Sequence, residues 1–297
     1  MEKLQVQLLK ANPFILSFSV IMYKKVIIEK VVTTSLEDLI SGLVNNETTD
    51  VLGDITIDND AIFENNHTMI VSSIDNSKTF NNNYTDEENF GIISVSEITN
   101  SGTFDNAGII CKAVGEELSA VDKITNSGTF TNSYGILVNE MDNKVDSSFE
   151  NKKGASAYVY TKLTNNGTIS NSGNLGMSAD GGTLTLENNG TITNEATGRI
   201  AATTIENSGN ITNSGLLGTT IDKGTLKNTG SITNNEGAQI YVAEKLTNDN
   251  KFINNGEVYV AGTFENTENA RIDYSTDNPS GRLTIKDGFN DGTIVQG

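Results

Sequence analysis

Most of this chain alternates apolar and polar residues in bursts of about four, each burst closed by an Asn and a turn residue. Alternation with period two predicts a β-strand with one buried face. The bursts are copies of one another: "TLENNGTITN" at 185–194 returns as "TIENSGNITN" at 204–213 and "TLKNTGSITN" at 225–234. In the unit at 185–200, Leu186, Ile192 and Ile200 are predicted to point inward and Glu187, Thr191 and Thr193 outward. Asn188 and Asn194 then fall at inward or corner positions.

The repeat is aligned by a Gly two places after an Asn. Those glycines are Gly102, Gly128, Gly167, Gly190, Gly209 and Gly230, with Asn250 in the next equivalent slot, at spacings of 26, 39, 23, 19, 21 and 20. The spacing of 39 predicts two units, because Phe149, Asn151, Gly154 and Tyr158 match Ile232, Asn234, Gly237 and Tyr241. The spacing of 26 is assigned to a loop at 111–122, "CKAVGEELSAVD", bulging from one corner. Gly at the corners is expected to supply a positive φ where the chain reverses.

Three short strands and three corners make one coil of a solenoid. One coil buries only three or four large side chains at ~1.5–3 kcal/mol each, which does not offset the ordering of its residues. Stacking is therefore obligatory. An Asn buried alone would be costly, but an Asn lying over the Asn of the previous coil can exchange amide hydrogen bonds with it. The expected fold is all-β: a right-handed parallel β-helix of about 20 residues per coil, the hand following from the crossover rule. Ten to twelve coils of ~4.8 Å would give a rod of roughly 50–55 Å. A β-sandwich lacks such register between segments, and a leucine-rich repeat would carry a helical return leg and more Leu.

Residues 1–30 match nothing downstream and form an apolar N-terminal leader. Its segment at 11–22 is a poor signal peptide, interrupted by Asn12 and Pro13 and followed by "YKK". Over 31–50, Ser35 as an N-cap and Leu36, Leu39, Ile40 and Leu43 on one face predict a short capping helix. The β-helix itself is assigned to 51–297. Its last segment, "GRLTIKDGFNDGTIVQG", shows no cap, so end-to-end self-association or a further C-terminal anchor region is expected.

Charge and composition narrow the function. With a formal net charge of −18, the chain would repel phosphate backbones and anionic lipid surfaces, so no nucleic-acid partner is expected. No stretch reaches the ~18 apolar residues of a membrane span, so no membrane insertion is expected. Cys111 is the single cysteine and His67 the single histidine, which excludes an intrachain disulfide and a multi-thiolate zinc site. The oxygen-rich stretches "DNDAIFE" at 58–64 and "DGG" at 180–182 fit neither the twelve-residue calcium loop nor the nonapeptide calcium repeat. No catalytic, cofactor-binding or metal-binding residue is assigned, and no cofactor is expected.

"ITNSGTF" at 98–104 and 124–130, "LTNNGTISNSG" at 163–173 and "ITNSG" at 211–215 resemble the repeats of bacterial cell-surface β-helix proteins. These include autotransporter passenger regions and filamentous-haemagglutinin-like adhesins. The resemblance implies an extracellular or cell-surface location and host or environmental glycans or proteins as partners. It transfers no catalytic residue.

Three functional readings follow. A non-catalytic adhesin-like or structural rod would recognise its partners through loops that break the period, at 111–122 and 274–282. A polysaccharide lyase or hydrolase would need carboxylates beside a basic partner on one face, and the column Glu187, Glu206, Lys227 reads instead as mixed surface charge. Ice or crystal-surface binding would use the outward columns at 129–131, 191–193, 210–212 and 231–233, which Asp105 and Lys251 interrupt.

Overall fold

The computed structural model describes residues 26–28, 43–45, 49–50 and 54–57, and then residue 62 onward apart from 85–90, 115–116, 178–182, 220–222, 275–280, 291 and 297. These residues form a parallel β-solenoid. Up one side run fourteen parallel strands in chain order, from Val26–Ile28 through Ile62–Asn65 and Thr191–Asn194 to Thr293–Gln296. The other two sides merge into one larger sheet, because long strands such as Gly135–Asn143 and Glu257–Asn266 carry pairing around the corner between them. No helix occurs among the described residues.

Like lies over like. Leu186 pairs with Ile205 and Ile205 with Leu226; Ile192 pairs with Ile211 and Ile211 with Ile232; Ile200 pairs with Leu217 and Leu217 with Ile240. Strand Ser148–Asn151 sits between Thr129–Asn132 and Thr168–Asn171, so the long spacing of 39 does hold two units. Leu186, Ile192 and Ile200 are buried, as their phase in the alternation predicts.

Pairing begins on the N-terminal side of residue 51. Leu43–Asn45 is in register with Phe63, Glu64 and Asn65, and Val26–Ile28 with Leu43–Asn45. The reason is in the residues: Leu-Val-Asn is already an apolar-x-Asn unit. The capping helix predicted over 31–50 falls largely on residues outside the described ones, while 43–45 and 49–50 are strands.

Inside the rod a column of aromatic rings gives way to aliphatic ones. Phe63, Phe80, Phe104 and Phe130 stack with centroids 4.7, 4.6 and 4.6 Å apart, and Phe149 follows at 5.9 Å with its ring tilted by 50°. The first three spacings equal the strand separation, so backbone pairing sets the stack. Stacked rings contribute about 0.5–1.5 kcal/mol per pair beyond their burial.

Two columns of buried asparagines flank this core. In one, each Nδ2 donates to the Oδ1 one coil further on, from Asn65 through Asn82, Asn106, Asn132, Asn151, Asn171, Asn194, Asn213 and Asn234 to Asn254, at 2.7–2.9 Å. The second runs from Asn76 through Asn100, Asn126, Asn143, Asn165, Asn188, Asn207, Asn228 and Asn248 to Asn266 at 2.7–2.8 Å. All these bonds point the same way along the axis. In most rungs the amide also reaches a backbone carbonyl past the corner of the next coil, as Asn188 does to Asn210 O at 3.1 Å, while Asn248 reaches Asn250 O of its own coil at 2.9 Å. The main chain repeats the clamp, since Asn188 O accepts from Ser208 N and Gly209 N at 2.8 and 3.0 Å. An amide with both groups satisfied in a dry interior holds each coil to the next and carries no desolvation penalty.

The corner glycines serve close approach and not the positive φ expected of them. A Cβ on Gly190, Gly209 or Gly230 would collide with the carbonyl oxygen of the corner glycine one coil earlier. None of these three has a positive φ. Left-handed backbone occurs at the other turn, at Gly154 (φ 85°) and Gly237 (φ 76°), which share one offset in the repeat, and at Asp146 (φ 63°), where the degenerate coil has no Gly at the Asn-x-Gly corner.

Candidate functional site

With the amides of its ladders bonded along the axis, the molecule offers its surface and the places where the period breaks. The segment at 111–122 is not an irregular loop. It contains a β-hairpin, in which Ile109–Val114 turns back on Glu117–Ser119 with Lys112 opposite Ser119 and Ala113 opposite Leu118. Ser119 Oγ donates to Lys112 O at 2.9 Å, and Lys112 Nζ reaches Asp122 Oδ2 at 2.9 Å across its base. Leu118 is 56% exposed near the tip. The sequence reads here as a bulging loop, because nothing in its pattern shows that partners three to seven residues apart pair antiparallel.

Cys111 lies at the foot of the hairpin, fully buried, with its thiol pushed up to about 11 by desolvation. A buried neutral thiol is a poor nucleophile. His67 is part-buried, and its Nδ1 accepts from the backbone N of Thr68 at 2.8 Å. Of the two oxygen-rich stretches, residues 58–61 and 180–182 lie outside the described residues, as does most of 274–282. Among the described residues no group of three His, Cys, Asp or Glu could hold a metal ion.

Glu187, Glu206 and Lys227 do occupy one outward column over successive coils. Their ion pairs leave that column: Lys162 Nζ meets Glu187 Oε1 at 2.8 Å, and Lys227 Nζ meets Asp249 Oδ2 at 3.7 Å. The Glu187 hydrogen bond raises the Lys162 pKa, and the nearby carboxylates Glu140 and Asp142 add to the effect. Such exposed pairs contribute about 0–1 kcal/mol each and face water.

On the adjacent side, register brings together an uncharged plane. Thr168 and Ser170, Thr191 and Thr193, Asn210 and Thr212, and Ser231 and Thr233 follow over four successive strands. Thr129 and Thr131 belong to the same columns but are separated from this plane by Ser148 and Glu150; Lys251 and Ile253 close it at the other end. A surface tyrosine pair also emerges on the third side. Tyr241 stacks on Tyr259 at 5.6 Å, beside a hydrogen bond from Gln239 Nε2 to Glu257 Oε2 at 3.2 Å. The signal for it was the shared offset of Tyr in "AQIYV" and "GEVYV".

Together these features define the class: a parallel β-solenoid zipped by two asparagine ladders, with a hairpin on one corner. Comparisons with protein-family models, with curated proteins and with solved structures found no match to this chain.

Proposed function

We propose that this protein is a non-catalytic, adhesin-like structural rod of the bacterial surface or the secreted fraction, which meets host or environmental glycans or proteins through elements that break its period. The observation that carries the reading is the hairpin. It is inserted between coils whose asparagine ladders run on unbroken past it, carries an exposed leucine, Leu118, and contributes nothing to either asparagine column. A rod whose amides and apolar groups are committed to stacking gives a loop a rigid mount, and binding elements on rigid mounts are the common use of such scaffolds. The repeat style of "LTNNGTISNSG" at 163–173 supports the surface location.

The test compares the full chain with a variant in which residues 112–120 are replaced by a two-residue turn, leaving the buried Val121 in place, on glycan arrays and on immobilised extracellular matrix proteins. The reading expects binding by the parent, lost in the variant at unchanged melting temperature. Depolymerisation of a polysaccharide by the parent, abolished by Glu187→Gln, would overturn it in favour of a carbohydrate-active enzyme.

The uncharged plane at 168–233 favours a second reading, binding to an ordered crystal surface, because its hydroxyl and amide groups repeat at the strand spacing in an unshifted register. Inhibition of ice recrystallisation that Thr193→Lys removes would support it. Equal activity of the parent and that variant would dismiss it.

A further inference from the structure

The sequence is rich in the linkages at which asparagine is chemically least durable. Ser follows the ladder residues Asn76, Asn100, Asn126, Asn132, Asn171, Asn207 and Asn213, and Gly follows the outer corner residues Asn166, Asn189 and Asn255. In the open chain, a backbone nitrogen after Asn loses its proton and attacks Cγ of that Asn. A C–N bond forms, the side-chain nitrogen leaves as ammonia, and water opens the resulting succinimide to aspartate or isoaspartate. Asparagine is a recognised thermolabile residue for this reason.

We infer that the coil-to-coil stacking is also a chemical lock on this reaction, and that deamidation of the rod proceeds through opened coils. The nitrogen that would attack is engaged at rung after rung. Ser101 N donates to Asn76 O at 2.8 Å, Ser127 N to Asn100 O at 2.6 Å, Ser172 N to Asn151 O at 2.8 Å, Ser208 N to Asn188 O at 2.8 Å and Ser214 N to Asn194 O at 2.7 Å. Gly190 N, behind the exposed Asn189, is held by Asn165 O at 3.0 Å. The electrophile is engaged as well: the amide of Asn207 accepts from Asn188 Nδ2 and donates to Asn228 Oδ1. Attack requires that both the backbone bond and the ladder bond break, so the free energy of opening a coil is added to the barrier.

The product has opposite consequences at the two kinds of site. At Asn189 an extra carboxylate sits in water at a corner. At Asn207 a buried carboxylate has no N–H to give to Asn228 Oδ1, and an acceptor faces an acceptor in a dry column. Opened coils are expected to convert Asn189–Gly190 first, since glycine offers the least steric bar to ring closure. Conversion at a ladder residue then keeps that coil from closing.

Peptide mapping by mass spectrometry tests this on the full chain, incubated at mildly alkaline pH with and without guanidinium chloride. Conversion at Asn100, Asn207 and Asn189 is expected to be at least roughly tenfold slower in the folded protein, the suppression that an opening free energy of about 1.4 kcal/mol gives. In denaturant, Asn189 is expected to lead. Equal rates at Asn207 with and without denaturant overturn the lock. The consequence is checked separately with Asn207→Asp and Asn189→Asp: the first is expected to melt at a clearly lower temperature, and equal melting temperatures overturn the distinction between the two sites.

Discussion

Asn188 Nδ2 donates to Asn207 Oδ1 at 2.7 Å across nineteen residues of chain, and Asn207 passes the same bond on to Asn228 at 2.8 Å. Removing the middle member strands a donor on one side and an acceptor on the other. Each stranded group costs about 1–3 kcal/mol, so Asn207→Ala is expected to lower stability by roughly 2–6 kcal/mol. Asn189→Ala, next to a ladder residue but on the exposed corner, is expected to stay within ~0.5 kcal/mol. Guanidinium unfolding of the two variants provides the comparison.

Phe104 lies between Phe80 and Phe130 at 4.6 Å from each. Phe104→Ala removes both ring contacts and leaves a void in a rod too narrow to collapse around it. A loss of about 3–5 kcal/mol is expected, with Phe104→Leu losing less. Thermal melts followed by circular dichroism distinguish the two.

Three glycines separate three physical roles. Gly209→Ala drives a methyl into Gly190 O, so the coils must part, and it is expected to be the most damaging of the set. Gly237→Ala finds open space but a φ of 76°, which an L side chain occupies at a cost of roughly 1–2 kcal/mol. Gly218→Ala meets only Tyr241 atoms at ordinary contact distance, 3.7 Å or more, and is expected to be close to neutral. A ranking in which Gly218→Ala is the worst would remove the close-approach explanation.

Cys111 titrates above its ordinary value of 9.0, at about 11, because its thiolate would be desolvated. A raised folded pKa means that the folded chain holds this proton more tightly than the unfolded chain. The associated stability is complete below pH 9.0 and is lost as pH climbs to about 11. At neutral pH Cys111 is expected to resist iodoacetamide until denaturant is added. Above pH 9.0 the parent is expected to lose stability more steeply than Cys111→Ser. Rapid labelling of the folded protein at neutral pH would contradict the burial.

The strand positions, the buried and exposed phases and the ladders were legible in the residues because every coil stacks on a copy of itself. When Leu186, Ile205 and Leu226 recur at one offset, the only register that buries all three also aligns Asn188, Asn207 and Asn228. Periodicity therefore encodes a long-range contact as a local pattern, which an ordinary globular sequence does not do. Even the degenerate unit around Phe149 was placed this way, since Phe149, Asn151 and Gly154 kept their offsets.

Other features depended on three-dimensional placement. That the corner Gly makes room for a neighbouring carbonyl, and not for a left-handed turn, depends on how closely two corners stack. The hairpin at Ile109–Val114 and Glu117–Ser119 has no copy elsewhere in the chain, so no repeat revealed its pairing. Lys162 chose Glu187, and Lys227 chose Asp249, through diagonal proximity on a twisted surface that sequence spacing does not specify. What repeats is set by the sequence, because stacking turns similarity into contact; what occurs once is decided by the folded surface, because only there do residues without counterparts meet.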